Sequence, residues 1–158
     1  MTRRWQRLTS ALRRDDGNAV VEFVFVAVLV MVPLVYLVVA VAVVQRSNLA
    51  VTQAAREAGR AIATADTVAQ GDARAQVAVR LALTDQGLPD DAEVTIVASG
   101  GSCDGPEVAP TLVPGSDFAV CVARQVSLPG VPSVLEGRGV RTVGRFVVHV
   151  DDFRAAPR

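Results

Sequence analysis

From Ala19 to Val44 the chain reads AVVEFVFVAVLVMVPLVYLVVAVAVV, with a single charged residue, Glu22. As a helix this run would extend about 39 Å at 1.5 Å per residue. A bilayer core is about 30 Å thick, so the run can cross it with some tilt or overhang. Covering all its faces as the core helix of a soluble domain would take more protein than the moderately polar remainder supplies. The pattern predicts a transmembrane helix over 18–44. Pro33 lies inside it, invites a kink, and is tolerated in spanning helices.

The helical signal continues past the apolar run. QRSNLAVTQAAREAGRAIATAD (45–66) lacks proline and is rich in good helix formers. Leu49, Thr52, Gln53, Arg56 and Arg60 share one sector, while Ala50, Ala54, Ala58, Ala61 and Ala65 form a small-residue stripe. That stripe suits either close approach of another helix or packing on the protein's own sheet. One long helix over about 18–66 is expected, with Gly59 and Gly71 as weak points and Gly71 as its punctuation. A second helix is predicted from an Asp72 N-cap to Gln86, with Val77, Ala78, Leu81 and Ala82 as its apolar repeat. Gly87 stops it, and Pro89 follows.

The period then changes to two. Val94, Ile96 and Ala98 share a face of EVTIVA; Phe118, Val120, Val122, Val126 and Leu128 share a face of DFAVCVARQVSL; Phe146, Val148 and Val150 alternate in GRFVVHVDD. These read as three strands, with loops at GGSCDGPEVAPTLVPGS and PGVPSVLEGRG. The fold class is α+β: a long N-terminal helix, a second helix and a small antiparallel sheet. Three parts follow: a basic leader over 1–17, the span over 18–44 and a domain over 45–158.

Charge gives the span a direction. The chain is formally neutral, but residues 1–17 carry Arg3, Arg4, Arg7, Arg13 and Arg14 against Asp15 and Asp16, a net of +3, leaving −3 for the rest. Arginine-rich flanks stay cytoplasmic, so the domain is expected outside, with the chain anchored in the plasma (inner) membrane. The domain lacks the basic patch that nucleic acid would need. Cys103 and Cys121, the chain's two cysteines, both fall in the exported part, where a disulfide stapling a loop to the second strand can persist.

The junction RRDDGNAVVEFVFVAV carries the most informative constellation. Gly17 closes the polar leader, Asn18 follows, and Glu22 lies four residues beyond, next to Phe23. This resembles the type IV prepilin signal, in which a basic leader ends in Gly and the fifth mature residue is Glu. With the short leader, Phe23 and the Ala-rich NLAVTQAAREAGRA, the chain is similar to the TadE/TadF-type pseudopilins of tight-adherence (Tad, or Flp) pilus systems over about residues 10–65. The resemblance implies cleavage by a prepilin peptidase between Gly17 and Asn18, and a minor-pilin or assembly role for the product. It also implies partners: the major pilin, sibling pseudopilins and the assembly platform.

Three readings of Glu22 stand beside one another. It neutralises the new α-amine of a neighbouring subunit, pairs with its own chain's amine one turn away, or snorkels to the interface near the positive helix N-terminus. Two other fates of the chain compete with pilin-like processing. An uncleaved signal anchor would present a surface module that binds a ligand or an exported protein. Ala40-Val41-Ala42 matches the A-x-A pattern of ordinary signal peptidase, but the apolar run before it exceeds the usual 7–15 residues.

No enzyme, cofactor or metal is expected. His149, the chain's one histidine, alternates outward at a strand end beside Asp151 and Asp152 and reads as a solvated strand terminus. No Gly-rich phosphate loop, serine elbow or metal-spaced Cys/His set occurs.

Overall fold

The computed structural model describes residues 18–131 and 139–154. Its elements are α1 (Asn18–Ala63), α2 (Val68–Asp85), β1 (Glu93–Ala98), β2 (Asp117–Val126) and β3 (Val140–His149). The architecture is α+β, as the periodicities predict. The chain divides into two compact units, Met1–Ala40 and Val41–Arg158.

The first unit contains the apolar part of α1. Its large side chains are exposed, with Phe23 at 74% and Leu29 at 62%. The helix is long and apolar enough to cross a membrane by length and composition. It runs through Pro33, whose missing N–H removes the hydrogen bond to the Leu29 carbonyl.

In the second unit the sheet has the order β1-β2-β3, all antiparallel. Phe118, Val120 and Val122 of β2 sit opposite Val148, Phe146 and Gly144 of β3, and opposite Ala98, Ile96 and Val94 of β1. That face joins the core with Ala50, Val51, Ala54, Ala55, Ala58 and Ile62 of α1 and Ala75, Val79, Ala82 and Leu83 of α2. The small-residue stripe therefore packs inside its own domain, the second of its two readings.

Two glycines allow the helix to come close. A Cβ on Gly144 would lie 2.1 Å from the Val51 carbonyl oxygen, and one on Gly59 would lie 2.6 Å from Val148 Cγ2. Gly59 is a packing residue rather than a weak point.

Several boundaries differ from the sequence-based expectation. α1 ends at Ala63, and Arg154 donates to the Ala63 and Ala65 carbonyls beyond its last turn. α2 begins at Val68, not Asp72. Its N-cap is Thr67, whose hydroxyl accepts from Gln70 N–H at 3.2 Å, while Gln70 Oε1 accepts from Asp66 N–H at 2.9 Å. This approximates a capping box, and the signature Thr-Val-Ala-Gln was present to be read. Gly71 is interior to α2, where it brings the helix against Ile62 and Ala65. The C-terminal stop at Gly87 is as expected: Leu88 N–H donates to Leu83 C=O and Gly87 N–H to Thr84 C=O, a Schellman arrangement with Gly87 at φ +62°.

The α2 stripe also differs. Val77 and Leu81 are each 59% exposed, and the buried face is Gly71, Ala75, Val79, Ala82 and Leu83. β3 begins at Val140, four residues before the expected start, because it pairs with β2 along its whole length. β2 ends at Val126, so Leu128 lies past the strand.

Candidate functional site

Of the residues placed at the processing junction, Gly17 lies outside the described residues and Asn18 is the first described residue of α1. Glu22 and Phe23 follow within the helix and are exposed. Asn18 and Glu22 are four apart on one helix, one turn along its axis. Glu22 thus stands near the N-terminal end of α1, where the backbone dipole favours a carboxylate.

The second unit holds a buried polar cluster that the strand alternation did not single out. Ser47 is fully buried, Thr142 is 2% exposed and Arg124 8%. The Ser47 and Thr142 hydroxyls are 2.8 Å apart, and Thr142 Oγ1 donates to the Arg124 carbonyl at 3.4 Å. Arg124 Nη1 donates to Ser47 Oγ at 3.5 Å. Its Nε and Nη2 donate to the two Asp91 carboxylate oxygens at 2.8 and 2.9 Å, a two-pronged pair with fixed geometry. The cluster joins α1, the approach to β1, β2 and β3. A lone buried guanidinium would be costly, and Asp91 removes that cost. Arg124 lies between Val122 and Val126 on the alternating face, so periodicity placed it on the core side. Its partners, distant in sequence, carried no such signal.

The opposite face of β2 is also covered. Ala119, Cys121 and Val97 form a small second core, with Cys103 packed on it. Cys103 and Cys121 form the disulfide that the sequence predicts, with Cα atoms 5.7 Å apart. It anchors the Gly-rich loop to the central strand. Arg141 donates to Asp104 Oδ1 and Arg145 to the Ser99 carbonyl, tying the same loop to β3. With a sequence separation of 18, the bridge stabilises the domain by about 3 kcal/mol through the unfolded chain.

His149 is exposed at the end of β3, but its main partner is Asp117, directly opposite on β2. Nδ1 lies 2.8 Å from Asp117 Oδ1, and Nε2 lies 3.6 Å from Asp152 Oδ2. Asp151, expected beside it, instead accepts from Phe153 N–H at 2.8 Å. The hydrogen bond to Asp117 chiefly, and Asp152 secondarily, raise the histidine's pKa above its ordinary 6.5. Among the described residues no group of three His, Cys, Asp or Glu side chains is arranged to hold a metal.

Comparisons with family models, with curated proteins and with solved structures gave no match to the chain.

Proposed function

We propose that the chain is a prepilin-like minor subunit or assembly factor of a Tad-type pilus, processed after Gly17 and anchored by α1. The observation that carries this reading is the register of Gly17, Asn18 and Glu22 at the head of the apolar helix, which a plain anchor does not require. Two features support it. The helix is long and apolar enough to span a bilayer. The domain behind it holds a disulfide, which persists in an oxidising space outside the cytoplasm. The leader then lies in the cytoplasm and the C-terminal domain outside.

In this role Glu22 supplies a carboxylate at shallow membrane depth. Burial there costs less than at the helix centre, and the α-amine released at Asn18 is the cation that offsets it. The partners are the prepilin peptidase, the major pilin, sibling pseudopilins and the assembly platform.

N-terminal sequencing of the mature protein from membranes tests the reading. A start at Asn18 supports it. A start at Met1 indicates an uncleaved surface module, and a start at Val43 indicates release by ordinary signal peptidase. In cells lacking the native copy, Glu22→Ala should leave processing largely intact and impair piliation; normal piliation would remove the role given to Glu22.

A further inference from the structure

The register between α1 and β3 fixes which end of the domain lies nearest the apolar run. The Ser47 and Thr142 hydroxyls are 2.8 Å apart, a Cβ on Gly144 would meet the Val51 carbonyl, and one on Gly59 would meet Val148. β3 therefore runs alongside α1 in the same direction. From Thr142 to Val148 a strand advances about 20 Å at 3.3 Å per residue. From Ser47 to Gly59 a helix advances about 18 Å at 1.5 Å per residue. The two rises keep step, so the next step back along each element places Val140 level with about Val43. Val43 belongs to the same unit as the sheet, and it lies inside the apolar run that ends at Val44.

β2 runs the opposite way and heads for this same end, where Val126 pairs with Val140. Just past Val126 the chain turns, and Val131 N–H donates to the Leu128 carbonyl at 3.3 Å. Pro129 and Gly130 are the central residues, with Gly130 at φ +81°, the sequence and sign of a type II turn. Pro129 is exposed, Leu128 and Val131 are half-buried, and Val140 is 38% exposed. Charge on the two strands stops short of this end. Arg124 lies opposite Thr142 and Arg141 opposite Gln125, whereas no residue is charged from Val126 to Val131 or at Gly139 and Val140. On α1 the first charged residue after the run is Arg46, which donates to the Gln86 carbonyl.

We propose that the Leu128–Val131 turn and Val140 form a lipid contact, resting in the bilayer surface where α1 leaves it. The proposal rests on the reading that α1 spans a membrane. It does not depend on processing at Gly17 or on which side of the membrane holds the domain. Chain connectivity argues for lipid as the occupant. Val41, 46% exposed, opens the second unit and is bonded to Ala40 of the apolar run, so apolar surface at this level continues that of the span. The order along the domain matches the order across a bilayer surface. Uncharged turn residues lie at the level of the run, and Arg46 stands just behind them, where its stem covers apolar surface and its head reaches the headgroups. The opposite end of the domain, where Arg154 meets the Ala63 carbonyl and Phe153 is 97% exposed, stays clear of lipid.

The test uses the full chain in phosphatidylcholine vesicles, with Trp5, the chain's one tryptophan, replaced by Phe. A single reporter is then introduced by Val30→Trp, Pro129→Trp, Val140→Trp or Phe153→Trp, and its emission is compared in plain lipid and in lipid brominated on the acyl chains. Val30→Trp should be strongly quenched and Phe153→Trp hardly at all. Pro129→Trp and Val140→Trp should be quenched several-fold more than Phe153→Trp, and more by bromine near the headgroup than near the chain end. Thermal unfolding with the disulfide intact checks the fold of each variant, and the second position decides if the first fails to fold. Quenching at 129 and 140 no greater than at 153, with Val30→Trp quenched, would overturn the proposal and leave the span standing. Blue-shifted but unquenched emission at both positions would also overturn it, by placing protein rather than lipid against the turn. An unquenched Val30→Trp would remove the span itself, and the proposal with it.

Discussion

The two halves of α1 share one backbone and differ in how they use side-chain bulk. Between Val20 and Val39 the large apolar residues are exposed on every side, among them Val21 at 65%, Phe25 at 66% and Val38 at 62%. Between Ser47 and Ile62 the buried residues are mostly small (Ser47, Gly59 and four alanines) and confined to one face, while Leu49, Gln53, Arg56 and Arg60 remain exposed. A helix that is apolar all round suits an apolar environment, whereas a single stripe suits one neighbour. Bulk serves the first case, because any hydrocarbon can cover it. Small residues serve the second, because the sheet must come within a fixed distance.

The close approach is the most sensitive point of the second half. Gly144→Val places carbon against the Val51 carbonyl and is expected to cost about 3 kcal/mol or more in unfolding free energy. Denaturant unfolding of the full chain in micelles measures it. Gly100→Ala is the control, since nothing lies within 4 Å of its added Cβ. Equal losses at the two sites would show that the helix does not dock on the sheet at Gly144.

A charge scan separates the halves directly. Val30→Arg should weaken membrane insertion by about 3 kcal/mol, the usual penalty at the centre of a spanning helix. Leu49→Arg, on the exposed side of the second half, should change domain stability by no more than about 0.5 kcal/mol. A glycosylation-based insertion assay and a thermal melt provide the two readouts. Similar insertion of both variants would place residue 30 outside the bilayer.

The joint at Ser47 offers a smaller and asymmetric test. Asp91→Ala leaves the Arg124 guanidinium, whose side chain is 7% exposed, without its counter-charge and should cost about 2 kcal/mol. Arg124→Met leaves Asp91 44% exposed to water and should cost about half as much. Equal costs, or the reverse order, would mean that Arg124 reaches solvent by another route.

The smallest expected effect is the pH response of the β2–β3 end. Because the pKa of His149 is raised in the folded state, its contribution is complete below about 6.5 and is lost as pH rises through the higher folded value. Stability should therefore fall slightly over the pH range just above 6.5. By NMR titration, Asp117→Asn should return the histidine toward its ordinary value more than Asp152→Asn does. The opposite order would make the Asp152 contact the stronger one.

The outlines of these elements were legible in the sequence because each rests on local rules. The apolar run, the change of period after Pro89 and the stop at Gly87 depend on residues within a few positions of one another. The Thr67 cap was equally local, and was missed because Asp72 and Gly71 offered a competing helix start. The α2 stripe failed for another reason. Val77 and Leu81 are as apolar as Val79 and Leu83, and periodicity alone cannot say which of two apolar faces a neighbour will cover.

The sequence by itself determined the long apolar helix, the α+β order, the three strands and the pairing of its two cysteines. Each follows from side-chain period, turn chemistry or elimination. Tertiary structure alone decided that Gly59 and Gly144 are contact points rather than weaknesses. It also assembled Ser47, Asp91, Arg124 and Thr142 into one cluster, and it gave His149 to Asp117. These contacts join residues separated by 18 to 95 positions, as between Thr142 and Arg124 or Ser47 and Thr142. No local pattern encodes such a meeting; it exists once α1 has been laid against the sheet.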